Sequence, residues 1–219
     1  DILVLPLFQG TDKAPNNALN GLSRTQRSLV NDALSSDSFS GKSGKHLHVW
    51  TADCQVVLVG MGECPSEKEC RDGGAKTLAA LSKDQGTNIT VRFTTGWTTS
   101  MMSLFAEGMI LRDYDFDKYL QKDEDDVQGD WSLDCQASAR HQDALSSAVS
   151  KSIAISKGVH IARDLGNEPA NVMYPEEYAK RATDWAKGKP NVEVEIWDYD
   201  RLQKEGMHGV IAVGKGSER

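Results

Sequence analysis

"ARDLGNEPANVMYPEEYAKRA", residues 162–182, decides how this chain is divided. Two prolines, Pro169 and Pro175, and two asparagines, Asn167 and Asn171, sit between two segments of helical pattern. Gly166 is placed to end the first helix by taking the left-handed cap conformation. Pro169 has no backbone donor and biases Glu168 toward extended backbone, so the helix cannot easily continue past it. Asn167 and Asn171 are suited to hydrogen-bonding the backbone of the turn. Pro175, followed by Glu176 and Glu177, opens the next helix at the position where proline is tolerated and acids complement the helix dipole. The stretch therefore reads as an architectural join that sets the direction of one helix against the next, not as a catalytic segment.

Upstream of the join, a helical pattern runs from Ala137 to Leu165, with apolar residues at Ala144, Ala148, Ile153, Ile155, Val159 and Ile161. Such a rod is about 43 Å long at about 1.5 Å per residue. A single domain seldom needs one, whereas a connector between domains does, so the domain boundary is placed inside it. Before the rod the chain alternates. "DILVLPLF" (1–8) is a strand, and "SRTQRSLVNDAL" (23–34) is a helix with Ser23 as N-cap. "HLHVWTA" and "CQVVLVGMG" are strands joined tightly enough to pair antiparallel. "SEKECRDGGAKTLAALSK" (66–83) is a helix opened by a Ser66–Glu69 capping box. "NITVRFTTG" is a strand, residues 100–114 a helix and "WSLDCQ" a further strand. This rhythm predicts an α/β fold with helices over a largely parallel sheet.

Downstream, a helix at 175–187, a strand "VEVEIWDYD", a short helix "RLQKEG" and a strand "GVIAVGKG" restart the rhythm. Two strands cannot bury both faces of a parallel sheet. The expected organisation is thus a first α/β domain at 1–136, a connecting helix at 137–166, and an incomplete second α/β domain at 167–219. A first residue that is not Met and a last residue just after "GVIAVGKGSER" lead to the expectation that the sequence belongs to a longer product.

Composition narrows the function classes. The chain has 219 residues, 39% hydrophobic and 26% charged, with a formal net charge of −7. That is globular in character, and its acidity argues against nucleic acid or an anionic membrane surface as partner. No apolar run reaches the roughly 18 residues that span a bilayer. Four cysteines without a CxxC pair give neither a zinc ribbon nor a redox motif, and read as reduced thiols of a cytoplasmic protein.

The chemical motifs fail one by one. In "SGKSGK" a phosphate loop would need glycine where Ser36 stands, and "GKGS" (214–217) has Gly216 in the hydroxyl position. Gly60 and Gly62 follow a strand and precede a helix, but a dinucleotide fingerprint would want a third glycine where Pro65 stands. What is left is a tight turn able to cradle an anion. His46 and His48 share a strand face without an obliged third ligand. The acids Asp123, Glu124, Asp125 and Asp126 repel one another and read as a solvated loop, and Asp198 and Asp200 have no assigned role.

The join also carries a resemblance. Arg163, Leu165, Asn167, Pro169, Asn171 and Pro175 are similar to a signature of the leucyl aminopeptidases, the cytosol aminopeptidase family of metallo-aminopeptidases. "FAEGMILRDYDFDKY" (105–119) resembles that family's Gly-x-x-Leu-x-x-Tyr-x-Phe-x-x-Tyr segment, and "GMHGVIAVGKGSER" (206–219) its run from Gly-Met to Val-x-x-Gly-Ser. The likeness is specific over 105–219 and general over 1–96. It implies an N-terminal macro-like α/β domain, a connecting helix and a C-terminal catalytic domain. It further implies a homo-hexamer that hydrolyses N-terminal residues from peptides at two divalent metal ions, zinc or manganese. The family's metal-binding strings, Gly-Lys-Gly-x-Thr-Phe-Asp-x-Gly-Gly and Asn-Thr-Asp-Ala-Glu-Gly-Arg, do not occur here. No catalytic, cofactor-binding or metal residue is therefore expected within 1–219. The chain is expected to be scaffold, inactive alone, with the C-terminal catalytic part as its partner. The alternatives are an ADP-ribose-binding module working through the Gly60–Gly62 turn and a non-enzymatic structural paralogue.

Overall fold

The computed structural model describes residues 1–36, 39–51, 53–81, 87–121 and 130–216. The acidic run 123–126 lies outside them. The chain folds in the order β1 (Ile2–Leu7), α1 (Arg24–Ser35), β2 (His46–Trp50), β3 (Gln55–Gly60), α2 (Glu67–Ala80), β4 (Thr87–Arg92), α3 (Thr99–Arg112), β5 (Trp131–Gln136), α4 (Ala139–Asn167), α5 (Pro175–Ala186), α6 (Tyr199–Lys204) and α7 (His208–Gly214). The five strands make one mixed sheet in the order β2-β3-β1-β4-β5. β1 is parallel to β3 and β4, β4 is parallel to β5, and only β2 is antiparallel, as the short β2–β3 link requires. Its contacts divide the chain into two units, Asp1–His160 and Ile161–Arg219, with the division inside α4.

In the first unit the sequence "ILVLPL" of β1 is buried throughout, and its alternation sorts it between two cores. Ile2 and Val4 join Val57, Val59, Ile89 and Val91 under α2 and α3, through Cys70, Leu78, Phe105 and Met109. Leu3, Leu5 and Leu7 join Val56 and Leu58 against Val30 and Leu34 of α1. An unbroken apolar strand buried on both faces is what a central parallel strand needs. Pro6 lies beyond Val4, where pairing with β4 ends, and its carbonyl accepts the Trp97 indole N–H at 3.2 Å.

The helices start where the sequence predicts. Ser23 Oγ accepts from the Gln26 N–H at 3.3 Å while Gln26 Oε1 accepts from the Ser23 N–H at 2.7 Å. The same Gln26 amide donates to Thr51 Oγ1 at 3.1 Å, tying the start of α1 to the β2–β3 hairpin. Ser66 and Glu69 close the capping box of α2. Thr98 caps α3, which begins at Thr99, one residue before the helical pattern.

α2 and α3 cross in direct backbone contact. A Cβ on Gly74 would lie 1.9 Å from the Phe105 carbonyl oxygen, and one on Gly108 would lie 1.9 Å from that of Arg71. Arg71 Nε donates to the buried Glu107 carboxylate at 2.8 Å across the same crossing. Gly108 is the glycine of the segment 105–119, so that motif has a packing reason. α4 buries only Leu145, Ser152 and Ser156, with Leu145 in the first core and Ser152 Oγ donating to the Ser103 carbonyl at 3.4 Å.

In the second unit three expectations are corrected. α4 does not stop at Gly166: it runs through Asn167, Gly166 is not at positive φ, and the Glu168 N–H still bonds to the Asp164 carbonyl at 3.2 Å. Proline, not glycine, ends this helix, because Pro169 removes the next donor. The turn is then closed by backbone, with the Val172 and Met173 N–H groups donating to the Pro169 carbonyl at 2.8 and 2.9 Å. "VEVEIWDYD" is not a strand here: residues 192–198 form no ladder, and Tyr199 already begins α6. "GVIAVGKG" is mostly helix α7. An extended segment leaves its backbone groups unpaired unless a neighbouring strand takes them, and a short helix pairs them locally. Pro175 at the start of α5, with Glu176 and Glu177 in the first turn, is as expected.

Among the described residues of this unit only Glu168 is buried. Its carboxylate is held by Arg181 Nη1 of α5 at 3.0 Å, and Arg181 Nε also binds Glu177 at 2.9 Å. The residue between Asn167 and Pro169 thus pins the turn to the helix it introduces.

Gly74→Ala and Gly108→Ala should each lower stability by about 3 kcal/mol or more, because the helix backbones must separate. Gly158→Ala, in α4 with nothing within 4 Å of the added Cβ, should raise it by about 1 kcal/mol. Urea unfolding of the three variants measures the contrast.

Candidate functional site

The two glycine motifs that attract attention in the sequence meet each other in the fold. The loop 40–45 lies on the turn that follows β3. A Cβ on Gly60 would sit 2.2 Å from the Lys42 carbonyl oxygen, and Gly62 takes φ +77°. The amides of this turn are committed. Gly60 N–H donates to the Lys45 carbonyl at 2.8 Å, Met61 N–H to that of Leu7 at 2.9 Å, and Gly62 N–H to that of Gly41 at 2.9 Å. An anion cradle needs free N–H groups. Here those of Gly60 and Gly62 hold the loop and that of Met61 holds the end of β1.

A cavity of about 160 Å³ lies beside it, lined by Ser43, Gly44, His46, Glu69, Asp72 and Lys76 among others. Sites for small organic ligands are about 300–1,000 Å³. This one is too small for a nucleotide, and two carboxylates face it. Both are held below the usual carboxylate range, Glu69 by its hydrogen bonds from Ser66 and Asp72 by its hydrogen bond from Lys68. A diphosphate would meet that negative charge, so the geometry speaks against the ADP-ribose alternative.

His46 and His48 are engaged by protein groups. Thr77 Oγ1 donates to the Gly73 carbonyl at 2.7 Å, so at 3.4 Å from His46 Nε2 it accepts from the ring. His48 Nδ1 is 2.6 Å from Gln55 Nε2. Burial, then the neighbouring His48, pushes the His46 pKa down. All four thiols are free. Burial pushes Cys70 up to about 11 and Cys135 up to about 12, so both stay protonated at neutral pH. Asp198 caps α6, accepting from the Arg201 N–H at 2.9 Å, and Asp200 lies in that helix's first turn.

Among the described residues no three His, Cys, Asp or Glu side chains converge on a point that would hold an ion. Asp72, Glu107, Glu168, Glu177 and Glu205 are already paired with Lys or Arg. This donor set does not fit a pair of divalent cations. The sequence reading passed over Glu168 with Arg181, and Arg71 with Glu107. Each pair is separated in sequence, and the only local signal is an acid on an otherwise apolar or proline-bounded stretch.

Titration calorimetry with ADP-ribose should give no binding heat. A second expectation concerns pH. His46 titrates lower in the fold than unfolded, so its contribution is present above the unfolded value and is lost as pH falls through that value toward the folded one. Stability should therefore fall more between pH 8 and pH 5 in the wild type than in His46→Gln, by urea unfolding at each pH.

No helix of the described residues is long and apolar enough to cross a membrane. The family model for the N-terminal domain of the cytosol aminopeptidase family matches residues 4–123, and that for the family's catalytic domain matches residues 160–219. A probable cytosol aminopeptidase of Methylorubrum extorquens is 34% identical over 98% of this chain and 44% of its own length. One from Methylobacterium radiotolerans is 32% identical over 98% and 44%. Among solved structures, a mutant tomato leucine aminopeptidase superimposes with a TM-score of 0.72 at 24% identity, covering 93% of this chain and 43% of that one. The bottromycin maturation enzyme BotP does so at 0.70 and 20%, covering 100% and 44%. These two likenesses support the α/β fold. The chain spans less than half the length of these relatives, and on the match of its first 120-residue model it belongs to the cytosol aminopeptidase family.

Proposed function

We propose that this chain is the N-terminal, scaffold-forming part of a metallo-aminopeptidase that removes N-terminal residues from peptides. The observation that carries this reading is the order of two matches on one chain, the family's N-terminal domain at 4–123 and its catalytic domain at 160–219. Relatives named as probable cytosol aminopeptidases extend to more than twice the length covered, which leaves room for a catalytic site outside this sequence.

In this reading residues 1–136 form a macro-like first domain, 137–166 the connecting helix and 167–219 the start of the catalytic domain. The chain's contribution is positional. Two buried cores and the glycine crossing of α2 and α3 make the first domain rigid. Pro169 and the Glu168–Arg181 pair fix the turn from α4 into α5. Two divalent ions, zinc or manganese, would polarise the scissile carbonyl and activate water when bound. One related structure is described as a complex of BotP with Mn. The described residues of this chain do not fit such ions, so no step at the scissile bond is assigned to them. The remaining partners are the C-terminal catalytic part, peptide substrates and further copies in a homo-hexamer, in the cytoplasm.

Release of leucine from leucine p-nitroanilide with Mn²⁺ or Zn²⁺ tests the reading. The isolated 1–219 chain should release none, and the native polypeptide that carries it should release leucine only with metal. Turnover by 1–219 alone would overturn the assignment of scaffold. An inert native polypeptide with either metal would favour the structural paralogue.

A further inference from the structure

The long helix α4 carries polar atoms on its buried side that no protein group answers. Among the described residues, two buried side-chain nitrogen or oxygen atoms make no hydrogen bond with protein, and both belong to α4: Ser156 Oγ and His160 Nε2. Ser156 is 0% exposed. The His160 ring lies against Tyr114, in the segment that follows α3, with centroids 5.3 Å apart and planes at 41°.

Three other serines of the helix show what a hydroxyl does when an acceptor is at hand. Ser146 Oγ donates to the Gln142 carbonyl at 3.0 Å and Ser150 Oγ to that of Ser146 at 2.8 Å, each reaching back one turn. Ser152 Oγ reaches across to the Ser103 carbonyl of α3 at 3.4 Å. Ser156 does neither. A polar group taken out of water costs free energy that a hydrogen bond must offset, so buried groups without partners are rare. Two of them one turn apart on one helix have a common explanation. Residues four apart on a helix have Cβ atoms about 5–6 Å apart. One water, with hydrogen bonds of about 2.8 Å on either side, bridges a gap of about 4–5 Å between polar atoms.

The chemistry also selects water. Neutral imidazole offers Nε2 as a donor in one tautomer and as an acceptor in the other, and a serine hydroxyl does both. Water complements every combination. No charged side chain is bonded to either atom, so an ion there would have no direct counter-charge. Holding one water still costs less than leaving two buried polar groups unpaired.

We propose that Ser156 Oγ and His160 Nε2 share one buried water molecule. It ties together the two turns of α4 nearest Tyr114. It accounts for serine and histidine, rather than apolar residues, at these two positions. The proposal holds whether or not the native polypeptide is a peptidase.

A crystal structure of the native polypeptide that carries this sequence, at a resolution that shows ordered water, tests the site directly. A water within hydrogen-bond reach of both atoms is expected. A protein side chain bonded to either atom in its place, or a dry contact, overturns the proposal. Urea unfolding of the same polypeptide gives an independent test. Alanine is a better helix former than serine, so Ser147→Ala, at an exposed position of α4, reports that gain alone. Ser156→Ala should shift the urea midpoint below that of Ser147→Ala, because it removes a satisfied hydroxyl and leaves the water short of a partner. A midpoint equal to or above that of Ser147→Ala overturns the proposal, since removing an unpaired hydroxyl relieves a penalty. His160→Phe keeps a ring against Tyr114 and, with Ser156→Ala, closes a double-mutant cycle. A combined loss smaller than the sum of the two supports a shared water, and additive losses overturn the sharing. If His160→Phe fails to fold, the Ser156→Ala comparison decides.

Discussion

Burial of β1 on both faces is the constraint from which the first unit follows. A strand whose six residues are all buried cannot sit at an edge or face water. β3 and β4 must flank it, and helices must cover it above and below. α1 takes the side of Leu3, Leu5 and Leu7, and α2 with α3 takes the side of Ile2 and Val4. The second side must fit two helices over the space of a few strands. It does so by bringing their backbones together at Gly74 and Gly108, closer than any side chain permits. The Arg71–Glu107 pair crosses the same contact and satisfies a carboxylate that burial would otherwise disfavour.

Around this core, the groups that look chemical turn out to be structural. The turn after β3 spends its amides on the loop 40–45 and on the end of β1. His46 bonds a helix and His48 a neighbouring strand residue. The Cys70 and Cys135 thiols are held protonated, Glu69 and Asp198 serve as caps, and Asp72, Glu107, Glu168, Glu177 and Glu205 are ion-pair partners. Such an arrangement stabilises and positions these side chains.

The second unit has a different character. Among its described residues the one buried side chain is an acid, Glu168, held by Arg181, while Ile196, Tyr199, Val210 and Val213 are exposed. A hydrophobic core is normally what offsets the conformational entropy lost on folding. Here a polar pin at the turn and the Asp198 cap of α6 stand in its place.

The sequence by itself determined the strand-and-helix rhythm of the first unit, its capping residues Ser23 and Ser66, the antiparallel β2–β3 pair, and the long α4. Each depends on side chains a few positions apart, whose spacing is visible along the chain. It also determined the family, since the segments at 105–119 and 162–175 combine turn and packing residues in one order. The tertiary structure alone decided that "SGKSG" and "GMG" pack on each other and that Arg71 finds Glu107 and Arg181 finds Glu168. It also decided that Pro169 rather than Gly166 ends α4 and that 209–214 is helical. Apart from the end of α4, where two local stop signals compete, these depend on partners distant in sequence or on the lack of a strand beside an apolar run. A β-prone segment shows its preference locally, but whether it becomes a strand depends on a neighbour that can take its hydrogen bonds.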